Sequence, residues 1–151
     1  MRFMALDIGE RRIGIAVSDS GILATPHSVL HRKSKTEDFA RLRRMIVELE
    51  VERIIVGLPY SLSGPETIGP QARRIMRYVE ALAKTVDVPF EYFDESYSTV
   101  DAEAYLAVRS AGDVDKRKSR KRGKAPIDAA AAAVILQNYL DATQNNVKPE
   151  T

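Results

Sequence analysis

Residues 2–18 read RFMALDIGERRIGIAVS. From 2 to 8 both alternating sides are apolar except at Arg2 and Asp7, the pattern of a central strand covered on both faces. The polar break GERR at 9–12 leads into IGIAVS at 13–18, a second strand. So short a break predicts an antiparallel hairpin. Working outward, Asp19-Ser20-Gly21 is a turn, and residues 22–30 read as a third strand. Pro26 inside it cannot donate to a ladder, which predicts an edge position.

Beyond residue 35 the apolar period becomes helical. Phe39, Leu42, Ile46 and Leu49 share a face, with Thr36 as the expected N-cap. Residues 53–58 (RIIVGL) form a short apolar strand, and 59–70, with three prolines and two glycines, a surface loop. A helix over 71–85 and a fifth strand over 89–94 follow, then a helix over 100–108 and a basic linker. An alanine-rich helix over 126–140 closes the order, with Pro126 suited to its first turn. Meandering strands followed by alternating helices and strands predict an α/β fold of three layers, with a five-stranded mixed sheet flanked by helices. One domain over 1–141 and a polar tail over 142–151 are expected, since 151 residues suit a single core.

Composition removes several chemistries. With no cysteine there is no disulfide scaffold, thiolate zinc site or cysteine nucleophile. Two histidines, His27 and His31, argue against a histidine-rich metal centre. No apolar run approaches the roughly 20 residues of a membrane span, and the N-terminus lacks a cleavage signal. A cytoplasmic protein with no membrane partner is the expectation. Net charge is +2, but residues 116–124 (KRKSRKRGK) hold seven basic side chains and no acid, which leaves the rest of the chain at −5. A dense cationic segment beside a slightly acidic body is a candidate polyanion contact, although such runs are commonly only solvated loops. No aromatic interrupts the run, so base stacking there is not indicated.

The acids carry the chemistry. Asp7 ends the central strand on the Phe3 and Ala5 side; a plain turn-capping role at Gly9 is the competing reading. Asp94 and Glu95 end the fifth strand, where α/β sheets gather their sites. Alternation sends those two side chains to opposite faces without choosing between them. Asp128 falls in the first turn of the last helix, where an acid also suits the helix dipole, but it shares a face with Ala132, Ile135 and Tyr139. Three carboxylates meeting at one edge repel unless a divalent cation neutralises them, and oxygen-only ligands favour Mg²⁺ or Mn²⁺. Such sites hydrolyse phosphodiesters. The expected metal ligands are Asp7, Glu95 and Asp128, with Asp94 the catalytic alternative to Glu95. Arg11, Arg12, Lys121, Arg122 and Lys124 are the expected substrate contacts.

Four segments, DIGERRIGIAVSD at 7–19, GLPYSLSG at 57–64, DESYST at 94–99 and KAPIDAAAAAVILQNYL at 124–140, resemble the YqgF family over residues 2–141. The resemblance implies a ribonuclease H-like fold and a nuclease maturing the 5′ end of pre-16S rRNA, or a resolvase of Holliday junctions. It implies Asp7, an acid of the Asp94-Glu95 pair and Asp128 as the metal-binding set. In this chain Ser96 stands where the family has arginine, so any phosphate grip from that arginine is missing. Precursor rRNA or branched DNA is the expected partner, with the chain a monomer or, for paired junction cuts, a homodimer. Two other classes remain: an actin-like ATPase domain, which needs two such units, and a non-catalytic nucleic-acid-binding factor.

Overall fold

The computed structural model describes residues 1–59, 69–94 and 125–147, without the side chains of 125–128 and 144–147. Five strands, β1 (Phe3–Ile8), β2 (Arg12–Ser18), β3 (Thr25–His31), β4 (Arg53–Leu58) and β5 (Phe90–Asp94), form one sheet in the order β3-β2-β1-β4-β5. β1 is central, antiparallel to β2 and parallel to β4, as its two-sided apolar pattern requires. β3 lies at the edge, where Pro26 is tolerated. It begins three residues later than the apolar run at 22, and Ile22 and Leu23 are exposed.

Helices α1 (Lys35–Glu48) and α2 (Pro70–Ala83) share one core with Met4, Leu6, Ile8, Ile13 and Ile15. Helix α3 (Ala125–Val147) covers the other face over Ala5, Ala16 and Ile55. Ala132 and Ala133 meet Ala5 and Ala16 there, and so many methyl-sized side chains let this helix lie close to the strands. Its backbone stays helical to Val147, well past Leu140, because nothing in ATQNNV at 142–147 breaks a helix.

The N-cap of α1 is Ser34, not Thr36. Ser34 accepts a hydrogen bond from the Glu37 backbone N–H at 3.2 Å, in the spacing of a capping box. Buried Asp38 accepts from the Lys33 N–H at 3.0 Å, so both acids of the first turn lie at the positive end of the helix. The expected helix over 100–108 lies outside the described residues. Among the described residues no helix is long and apolar enough to cross a membrane.

Behind Asp38 stands Tyr78 of α2, 3% exposed, its hydroxyl donating to Asp38 Oδ2 at 3.4 Å. Burial first, and then the Asp38 carboxylate, push the Tyr78 hydroxyl up to about 12 against the opposing pull of Arg32. An unfolded tyrosine ionises near 10, so the native state holds its proton more tightly. The stabilising contribution is whole below pH 10 and is lost as pH rises through about 12, by roughly 2–3 kcal/mol. Tyr78→Phe removes the titrating group and should flatten urea-melt stability between pH 10 and 12. Equal alkaline slopes in the two proteins would refute this.

Candidate metal and nucleic-acid site

The register of the β1–β2 hairpin builds the site. Ile8 pairs with Ile13, both in the α1/α2 core, so Asp7 and its partner Gly14 point to the α3 face beside Ala5. On the other flank Ala5 pairs with Ile55, which brings Gly57 level with Asp7 on that same face. The half-buried Asp7 thus stands between two residues without side chains. Gly57 is a residue of β4, paired with Phe93. The hairpin turn is tight: Gly9 N–H donates to the Arg12 carbonyl at 2.8 Å, and a Cβ at Gly9 would stand 2.9 Å from that oxygen. Gly9 is therefore fixed by close approach.

Alternation along β2 puts Arg12 on the face of Gly14 and Asp7. Arg11 is exposed in the turn, its carbonyl accepting from the Arg32 N–H at 2.8 Å. At β5 the two faces separate. Phe93 packs under Tyr139 of α3, with ring centroids 6.0 Å apart, while Phe90 and Tyr92 join the α1/α2 core. Asp94 pairs with Leu58, itself in the α1/α2 core, so Asp94 lies on the face opposite Asp7.

Helix α3 runs antiparallel to β1. Near its C-terminal half Tyr139 meets Phe3 at 5.9 Å, and Gln137 bonds the backbone of Ile22 and Ala24 at 2.9 Å each, all at the start of β1. From Phe3 to Asp7 the strand rises about 13 Å at about 3.3 Å per residue. From Tyr139 back to Asp128 the helix rises about 16 Å at about 1.5 Å per residue. The backbone at Asp128 therefore lies near the level of the β1 end, one turn before wholly buried Ala132. The Asp128 side chain, Glu95, Lys121, Arg122 and Lys124 lie outside the described residues, and among the described residues no three His, Cys, Asp or Glu gather at metal-binding distance.

Sequence reasoning missed that Gly14 and Gly57 flank Asp7. Counting register from the four-residue hairpin break would have found Gly14.

A family model described as "RuvX: Holliday junction resolvase" matches residues 1–142. The chain belongs to the RuvX family. It is 42% identical over 146 residues to a protein of Thermoanaerobacter pseudethanolicus named "Putative pre-16S rRNA nuclease", covering 96% of this chain and 99% of that one. A protein of the same name from Halothermothrix orenii is 41% identical, covering 93% and 95% of the two chains. Among solved structures, Thermus thermophilus RuvC in complex with a Holliday junction substrate superposes with a TM-score of 0.61 at 18% identity, over 95% of this chain and 96% of the other. That likeness shows the ribonuclease H-like fold of this RuvX protein.

Proposed function

We propose that this protein is a divalent-metal-dependent endonuclease that hydrolyses phosphodiester bonds, with the 5′ end of pre-16S rRNA as its substrate. The observation that carries the reading is Asp7, held at the end of the central strand between Gly14 and Gly57 and facing the helix that bears Asp128. An oxygen-only donor set fits Mg²⁺ or Mn²⁺, and the glycines on either side of Asp7 carry no side chain to compete for the space beside it. Asp7, Glu95 and Asp128 would hold it. Such an ion, when bound, supplies Lewis acidity toward water and the scissile phosphate. The chain's own residues fix the geometry. β1, paired on both sides, anchors Asp7 with little freedom; Arg12, on the same face, offers its guanidinium to a phosphate oxygen. Lys124, four residues before Asp128 in the sequence, would add a cation.

The names of the relatives support the RNA substrate. The description of the family supports a second reading, a Holliday-junction resolvase using the same acids. Incubation of the purified protein with precursor rRNA and with four-way DNA junctions, in Mn²⁺ and in EDTA, tests both. Cutting of precursor rRNA only in Mn²⁺ is expected. Cutting of junctions alone favours the resolvase, and binding without any cleavage leaves a non-catalytic factor.

The basic run adds a prediction. Lys121→Glu with Arg122→Glu should weaken RNA binding and lower the log–log salt slope, by about 0.7 for each phosphate of a single strand that the run no longer neutralises. An unchanged slope would make the run a bystander.

A further inference from the structure

On the α1/α2 side of the sheet, at the same end of β1, a cavity of about 390 Å³ opens beside Ile8, Gly9 and Glu10. Four cations line it: Arg32 and Lys35 from the β3–α1 junction, and Arg74 and Arg77 from α2. One carboxylate, Glu10, faces them, 3.6 Å from Arg74, with both side chains largely exposed. An exposed pair of that length neutralises little. Lys35 and Arg77 have no ion pair among the described residues.

We infer that this cavity is a second phosphate subsite, which takes the backbone of the nucleic-acid strand a short way along from the phosphate at Asp7. Arg32 is its fixed element. The guanidinium lies over the Tyr78 ring at 4.4 Å and donates one N–H to the Gly9 carbonyl at 2.6 Å. Tyr78 is in turn held edge-on to Phe39 and bonded to buried Asp38. A guanidinium has five donors, so the other four remain to meet phosphate oxygens from a preset orientation. Arg74, Arg77 and Tyr78 recur at helical spacing on one side of α2, which aims two more cations at the same opening. Lys35 opens α1, where the helix N-terminus also favours an anion. The Asp38 charge sits behind Tyr78 and is already bonded to the Lys33 N–H and the Tyr78 hydroxyl.

Position ties the cavity to the cutting edge. Gly9 is two residues from Asp7, at most about 7 Å of backbone. A strand crossing the β1–β2 turn therefore passes from Arg12 and Asp7 on one face to Arg32 and Arg77 on the other. The cavity has no base-stacking aromatic other than Tyr78, whose face Arg32 already covers, so it reads backbone and not sequence.

This subsite rests on the proposed nucleic-acid substrate but not on the cleavage chemistry, so the test is binding in EDTA. Anisotropy of fluorescein-labelled single-stranded RNA is measured against salt for the full chain and for Lys35→Gln with Arg77→Gln. Both side chains are exposed, so melting temperature should not move. The double variant should lose affinity, and its log–log salt slope should fall by about 1.4, two phosphates at about 0.7 each. Unchanged affinity and slope overturn the subsite. So does a variant that binds RNA normally but no longer binds inorganic phosphate by calorimetry, since the cavity would then serve a free anion. Failure of the nuclease reading shows separately, as absence of Mn²⁺-dependent cleavage by the unaltered chain.

Discussion

Asp7→Asn is expected to abolish cleavage while leaving the metal-free protein at least as stable as its parent. The side chain keeps its shape and loses one charge. Asp7 is half-buried at the end of a central strand, and Glu95 and Asp128 are its proposed neighbours. Gathering three carboxylates without a cation opposes folding, because in the unfolded chain they separate. Removing one charge relieves that repulsion. The same change removes a proposed metal ligand, so cleavage should fall by at least about 10²–10³-fold, the effect of losing one preorganised electrostatic group. Mn²⁺ at about 100 times its Kd adds about 2.7 kcal/mol to the native state by mass action. In a domain of about 150 residues that raises Tm by roughly 5–11 °C. The parent should show this shift and Asp7→Asn a smaller one. If Asp7 only caps the turn at Gly9, asparagine serves as well, cleavage persists and Mn²⁺ shifts both proteins alike. Thermal melts in EDTA and in Mn²⁺, beside one cleavage assay, separate the two.

The fold was legible where periodicity was strong. The doubly apolar run at 3–8 marked the central strand, Pro26 the edge, and the four-residue break the hairpin that sets Asp7 opposite Gly14. Local chemistry was harder. Thr36 and Ser34 are both good caps by residue type, and Ser34 takes the role because its backbone is extended just outside the helix, whereas Thr36 already lies within it. The end of α3 was set too early because polar residues were read as a stop, although a polar sequence without Gly or Pro can continue a helix. The cationic cavity was invisible in the sequence. Arg32 is separated from Arg74 and Arg77 by about forty residues, and only the packing of α2 beside the start of α1 unites them. Asp94 and Glu95 are an open pair because alternation fixes only their difference; Phe93 under Tyr139 fixes the face of Asp94, while Glu95 lies outside the described residues.

That placement of Asp94 gives the other large effect. Asp94→Asn should leave cleavage within about fivefold of the parent, and Glu95→Gln should reduce it by at least about 10²–10³-fold. Asp94 is the last paired residue of β5, opposite Leu58, and both belong to the α1/α2 side of the sheet. Asp7 belongs to the α3 side. Between them stands the sheet itself, so Asp94 acts on a cation at Asp7 only as a more distant charge, worth about 1 kcal/mol or less, or about fivefold in rate. If the chain continued extended, the next side chain would fall on the face of Phe93, which is the face of Asp7. Glu95 follows in the sequence but lies outside the described residues, so its place on that face is this proposal's premise, and glutamate's extra methylene gives it the longer reach of the pair. The two variants are compared at saturating Mn²⁺ on one precursor rRNA, with thermal melts to exclude unfolding. Loss of cleavage in Asp94→Asn with activity retained in Glu95→Gln would overturn this assignment and remove Glu95 from the metal set.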